Sequence, residues 1–433
     1  MSPSPWAALA LLVAGVTALV VPAPVVVTLA IAVAVATVVD MLLARRRPRV
    51  RRRIATTLAR GVPAGLVVDT VTNETDAGAE SPASARRVQL RQARPPDITI
   101  EPASAWGRLD ARLVAHRRGA HQLPPVAARR YGPLRLGACT FDAEGARDLL
   151  VYPDVFAAQR LVVALRRGRF RDAGLRTRGP LGLGTEFESV RDYLPDDDVR
   201  QINWSATARV GRPMSNQYRI EQDRDIVCLV DAGRLMAAPL PGGERVDDRE
   251  LTRLDAAVDA VTVVGLVADE LGDRCGVIVY DSEIRRRMPP RRAGGKAVVR
   301  AVLDVEPRAV DSDHDLAFRA VGGVKRAMVI VCTDLVDEAA ARSLLDAVPV
   351  LARRHAVVIA SVRDPDLETP LATLPVTPRE VYASAVALDV LDGRARVIKR
   401  LHHLGATVVE APPRLLGEAC VRAYLQLKSR ARL

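Results

Sequence analysis

The sequence predicts an α/β protein in three parts: an N-terminal two-helix transmembrane hairpin, a β-sandwich-like middle domain, and a doubly wound sheet covered by helices. Three observations predict it. Two apolar segments occupy residues 6–44, short alternating runs bounded by turn formers fill 61–155, and strand and helix patterns alternate through 221–433. A chain of 433 residues is long enough for two or three domains with cores of their own.

Residues Trp6 to Val21 are continuously apolar or small, Pro22-Ala23-Pro24 interrupts them, and Val25 to Ala44 resumes with Asp40 as its one ionisable group. The second segment meets the ~20-residue requirement of a membrane span, and the first is slightly short. A tight proline turn between them puts both outer ends on one side. The 45–60 stretch follows as a basic juxtamembrane segment, with seven arginines from Arg45 to Arg53, which holds that side in the cytoplasm. A cleaved signal peptide competes, against the absence of a positive residue before the apolar run. Asp40, near the cytoplasmic end, is expected to meet water or Arg45.

In the β-rich part, Leu66–Val71, Arg87–Arg91, Asp97–Glu101, Asp110–His116 and Leu134–Phe141 read as strands. His116, Arg117, Arg118 and His121 are scattered along a hairpin and read as a solvated edge rather than a metal site. The 156–183 stretch reads as a basic connector with six arginines between Arg166 and Arg178. Its Gly179–Gly184 run lacks the lysine and the strand–helix setting of a phosphate loop.

From Ile226 the chain alternates: strands at Ile226–Val230, Gly276–Tyr280 with Ile284–Met288 as hairpin partner, Ala327–Cys332, Ala356–Ser361 and Thr407–Glu410. Helices are expected at Arg249–Leu271, Lys296–Leu303, Leu316–Val321, Glu338–Arg353, Pro378–Leu404 and from Arg414 to about Arg430. Near-continuous apolar strands between helices mean a mostly parallel sheet buried on both faces. The layout resembles a von Willebrand factor A domain.

Between the β-rich part and this sheet lies the most distinctive stretch, 184–220. Gly184, Glu186, Phe187, Arg191, Tyr193, Pro195, Asp197, Asp198, Arg200, Ile202, Trp204, Thr207, Ala208 and Arg209 fall within 26 positions. Pro195 and the aspartates Asp196 to Asp198 suit the start of a short helix, with Trp204 in its middle and Phe187, Tyr193, Ile202 and Trp204 supplying groups to bury. The pattern is similar to the signature of the domain of unknown function 58 family, bacterial membrane-anchored proteins with a von Willebrand factor A-like C-terminal half. The resemblance implies an interaction motif of Glu186, Phe187, Arg191, Tyr193, Pro195, Asp197, Asp198, Arg200, Trp204 and Arg209, and a MoxR-type AAA+ ATPase as partner.

The von Willebrand-type resemblance also implies a divalent-cation site, which needs hydroxyl and carboxylate oxygens close together. Asp231 and Asp334 stand at the ends of two strands, and Ser312 is the nearest hydroxyl for a second loop. Gly233 and Leu235 stand where two serines are expected, so the site reads as degenerate. No cofactor is expected, with Mg²⁺ as the open alternative. Arg234 is placed to bring its own cation to the vacancy.

Net charge is +12, yet the arginines are accounted for by topology and connector, and aromatic content of 3% leaves few stacking platforms for bases. No nucleic acid is expected. The five cysteines have no zinc spacing and read as reduced, buried thiols. No Ser-His-Asp or Cys-His arrangement is legible. The expected function is a non-enzymatic adaptor in the cell membrane, multi-pass, with its soluble domains in the cytoplasm, serving assembly or maturation of envelope-linked complexes. The alternatives are a metal-dependent enzyme using the acidic motif and a nucleic-acid binder using the basic segments.

Overall fold

A computed structural model describes residues 2–17, 22–71, 82–166, 186–194, 197, 199–219, 223–240, 245–246, 249–324, 326–336, 338–372 and 374–429. It divides into two compact units, Met1–Tyr152 and Pro153–Leu433.

In the first unit, helix α1 (Pro5–Thr17) and helix α2 (Ala23–Leu43) are the apolar segments. Among the described residues, α2 is the one helix long and apolar enough to cross a membrane. The 13 residues of α1 reach only ~20 Å at 1.5 Å per residue. Both helices are tied to the β-rich part. Ser2–Pro3 pairs antiparallel with the strand Gly137–Glu144, and the end of α2 lies against that same strand. Asp40, expected in water, is 1 % exposed. Its carboxylate accepts the backbone N–H of Leu134 (2.9 Å), Leu136 (2.8 Å) and Gly137 (2.9 Å). Residues 134–136 are thus a turn and not the start of a strand. Only glycine permits this approach: a Cβ on Gly137 meets Met41 at 2.3 Å.

The arginine run is likewise not a free flank. Val50–Arg53 is a strand paired with Pro63–Thr70, so the β-rich part begins before residue 61. Arg52 is buried and donates to Gln92 (3.1 Å), Pro124 O (3.0 Å) and Gly145 O (2.6 Å). Those bonds, made by its two terminal nitrogens while Nε has no partner, offset the cost of a charged side chain inside a sheet. Leu66, Val68, Leu90, Ile98, Ile100, Leu109 and Leu113, alternate residues of their strands, form the core between sheets. His116 bonds Thr99 (2.8 Å) and His121 bonds Arg117 O (2.9 Å), as a structured edge.

The second unit opens with helix α3 (Val155–Arg166), which corrects the first half of the expected connector. Ala158 is buried, and Leu161, Val162 and Leu165 pack on the main core. The arginines Arg167–Arg178 of that segment lie outside the described residues. Next comes a two-stranded ribbon, β1 (Glu186–Asp192) and β2 (Met214–Arg219), with helix α4 (Trp204–Val210) in its connection.

The main sheet has six strands: β3 (Asp225–Asp231), β4 (Arg274–Tyr280), β5 (Ile284–Arg291), β6 (Ala327–Cys332), β7 (Ala356–Val362) and β8 (Thr407–Ala411). They lie in the order β5-β4-β3-β6-β7-β8, all parallel except the edge strand β5. Strand alternation divides the burial. Ile226, Cys228 and Val230 face α3, α5 (Arg253–Glu270), α6 (Gly295–Val302) and α10 (Leu416–Ser429). Val227 and Leu229 face α7 (His314–Val321), α8 (Arg342–Ala352) and α9 (Pro378–His403). Apolar on both sides, the strands could not remain half-exposed. Helix starts are set locally: Thr252 and Asp255 form a capping box on α5, Thr377 and Glu380 another on α9. All five cysteines are buried and free.

Candidate functional site

The strand order reverses between β3 and β6, so the loops after these strands diverge to opposite faces and leave a crevice at their carboxyl ends. In open α/β sheets this is where ligands bind. Asp231 ends β3, and Thr333 and Asp334 follow β6.

Asp231 is 1 % exposed, and both of its carboxylate oxygens accept hydrogen bonds. One oxygen accepts the Gly233 N–H (2.8 Å) and the Ser312 hydroxyl (2.5 Å), and the other accepts the Thr333 hydroxyl (2.7 Å). Asp231 and Ser312, paired by the sequence reading, do meet. Thr333 was missed, although the hydroxyl beside Asp334 was visible. Gly233 marks more than a lost serine: a Cβ there comes within 2.1 Å of the Ser312 oxygen. Ser312 fills the space that a side chain at 233 needs.

Asp334 does not join Asp231 as a second ligand. Its side chain is 3 % exposed and forms an ion pair with Arg253 at the start of α5. Arg253 also reaches Asp364 at 3.1 Å. On the other side, Ser361 donates to Asp334 (3.3 Å), and Arg394 of α9 lies 3.9 Å away. Arg394 binds Glu410 (2.5 Å), Ser361 (3.0 Å) and Val362 O (2.6 Å). Two guanidinium groups thus stand where the second acidic ligand was expected to be available. Arg234, expected to fill the vacancy, pairs instead with Asp311, and both are exposed. That leaves one carboxylate, Asp231, already accepting from two hydroxyls and a backbone N–H, and among the described residues no three His, Cys, Asp or Glu side chains come together to hold a metal ion. Beneath the crevice, Tyr280 and His314 are bonded at 2.9 Å. Burial pushes the tyrosine hydroxyl well above its ordinary range and the imidazole of His314 down.

The signature stretch folds differently from the expected capped helix. β1 and β2 pair with a bulge between Phe187 and Ser189. Asn203, not an aspartate, caps α4, accepting the Ala206 N–H at 2.9 Å. Trp204 is therefore the first helical residue and is 69 % exposed, against the expectation of a mid-helix, buried group. Asp197 staples the loop: it accepts from Arg191 (2.6 Å) and from the Leu194 N–H (2.9 Å), and Tyr193 donates to its carbonyl (3.1 Å). The Arg191 hydrogen bond holds this carboxyl below the usual range. Pro195, Asp196 and Asp198, and the side chains of Glu186, Phe187 and Arg200, lie outside the described residues. Arg209, in the last turn of α4, is exposed. Leu194, Val199, Trp204 and Val210 are more than half exposed, so the connection shows an apolar surface.

Residues 189–375 match the family model "Protein of unknown function DUF58". They carry the DUF58 domain. The matched region runs from the ribbon through β3–β7 and so contains the crevice. Two mycobacterial proteins are similar: "Uncharacterized protein Rv1480" of Mycobacterium tuberculosis (strain ATCC 25618 / H37Rv) and "Uncharacterized protein Mb1516" of Mycobacterium bovis (strain ATCC BAA-935 / AF2122/97). Each is 28% identical over 196 residues, 44% of this chain and 58% of the relative. The match to this chain thus spans a little over half the length of these curated relatives. Among solved structures, "Crystal Structure of Uncharacterized Membrane Spanning Protein from Vibrio fischeri" aligns at 12% identity with a TM-score of 0.16, over 48% of this chain and 99% of that one. Overlap that low carries no argument for fold or function.

Proposed function

We propose that this DUF58 chain is a non-enzymatic docking module anchored in the cell membrane by a helical hairpin, with its soluble units in the cytoplasm. The observation that carries the reading is the state of the crevice. Its carboxylates are spent on internal donors, Asp231 on Ser312, Thr333 and Gly233, and Asp334 on Arg253. Groups buried and bonded this way fix the shape of loops, whereas a general base or ligand set needs a carboxylate that a substrate can reach. The strand order with one antiparallel edge supports a von Willebrand factor A-like reading of the sheet. The tethering of Ser2–Pro3 and of Asp40 to one strand supports a hairpin whose two ends share a side.

The exposed apolar connection of the ribbon, Trp204 foremost, is the docking surface of this reading. Its partner is a MoxR-type AAA+ ATPase, in assembly or maturation of envelope-linked complexes. Affinity purification of the intact chain from solubilised membranes tests it. The ATPase should co-purify with the native chain and be lost with Trp204→Ala, at an unchanged melting temperature because the indole is exposed. Recovery of the same proteins by both chains sinks the reading.

A further inference from the structure

We propose that the end of the sheet opposite the crevice is a second docking site, one that takes an extended acidic segment of a partner protein with an apolar anchor residue. Two adjoining cavities lie there, of about 530 and 310 Å³, and share Arg326. The larger is floored by Val227, Ile278 and Met288, and the smaller is lined by Arg353, Arg354 and His355. Together they run beneath the edge from β5 to β8. Five inter-strand spacings of ~4.8 Å make a trough of ~24 Å, the length of about seven extended residues.

Charge selects an acidic occupant. Asp223 and Asp225 line the larger cavity but are already paired, Asp223 with Arg292 and Asp225 with Arg274 at 2.7 Å. Arg287, Arg326, Arg353 and Arg354 are exposed and make no ion pair among the described residues. Guanidinium forks arrayed along a trough match carboxylates. Shape and composition select a peptide. No Trp, Tyr or Phe lines either cavity among the described residues, which leaves no platform for stacked bases. The apolar floor is concave, unlike a surface fitted to a flat membrane. Strand addition at the β5 edge, beside the larger cavity, is interrupted, because Pro289 and Pro290 offer no N–H to a new strand. Side chains, not backbone pairing, do the recognition.

The site is independent of the ribbon surface, so loss of the ATPase in Trp204→Ala leaves this inference standing. The test pans a displayed library of random heptapeptides against the full-length chain held in phosphatidylcholine nanodiscs. The expected selection is enriched in Asp and Glu around one apolar residue. A synthetic peptide of that consensus should bind Arg287→Glu/Arg326→Glu about tenfold or more weakly, with the melting temperature unchanged. The inference is overturned by a selection without acidic enrichment, or by equal binding to the charge-reversed chain. It is also overturned if phosphatidylglycerol vesicles or single-stranded DNA, and no peptide, are what that chain ceases to bind.

Discussion

The two ends of one sheet treat charge in opposite ways. At the carboxyl end, Asp231 and Asp334 are buried and bonded to hydroxyls and guanidinium groups of the same chain. At the other end, Arg287, Arg326, Arg353 and Arg354 face solvent. A buried ion pair is costly to break and contributes little to recognition, since its charges are already committed. An exposed guanidinium keeps its hydrogen-bonding capacity for something else. Position at the customary ligand end of an α/β sheet therefore does not by itself identify the binding end.

The largest effect that tests this contrast is at Asp334. Removing the carboxylate in Asp334→Ala leaves Arg253 paired with Asp364 alone and the buried Arg394 with Glu410 alone among the described residues, which should cost about 2–3 kcal/mol, the scale of hydrogen bonds to charged groups. Chemical denaturation of the intact chain reads it. A loss under about 1 kcal/mol means that water replaces the carboxylate and the crevice is open after all.

An intermediate effect belongs to Asp197, a half-buried acid of the ribbon. Asp197→Ala should cost about 1 kcal/mol, the scale of a charge-assisted hydrogen bond near the surface. Because Arg191 depresses the folded-state pKa of this group, its stabilisation is present above the unfolded value near pH 4 and is lost as pH falls through the folded value. The difference between native and variant stability should accordingly hold from pH 7 to about 5 and close in more acidic solution. A difference that grows on acidification breaks the assignment.

The smallest effect is expected at the arginine end. Arg353→Ala should leave the denaturation midpoint of the chain where it was, since the side chain is exposed and has no ion-pair partner among the described residues. A shift comparable to that of Asp334→Ala would erase the contrast between the two ends.

Much of the second unit was legible because its signals are local. Uninterrupted apolar runs such as Ile226–Val230 cannot be anything but buried, and the helix expected at Arg249–Leu271 is found at Arg253–Glu270, behind a capping box of Thr252 and Asp255. Asp231 was legible as a carboxylate at a strand end, and Ser312 as the nearest hydroxyl. The rest depended on pairings without local trace. Arg253 is 81 positions from Asp334, and no periodicity announces that they meet. Thr333 reaches back 102 positions to Asp231. At the signature, three aspartates after a proline read as a helix cap, whereas the helix α4 is capped by Asn203, which sits directly before it. Trp204 misled for a related reason: a large apolar residue signals burial only when something covers it.

Asp40 has a mechanical meaning. Most anchoring helices hand over to a soluble domain through a slack linker, which lets the domain swivel. Here the last turn of α2 is grasped by three backbone N–H groups of the turn at 134–137, ahead of the six residues that lead to the strand Val50–Arg53. Turning such a helix about its axis turns the β-rich unit with it, and a pull on that unit is transmitted to the helix undiminished. With α2 seated in a bilayer, as proposed above, the first unit would stand as a fixed mast rather than a tethered float.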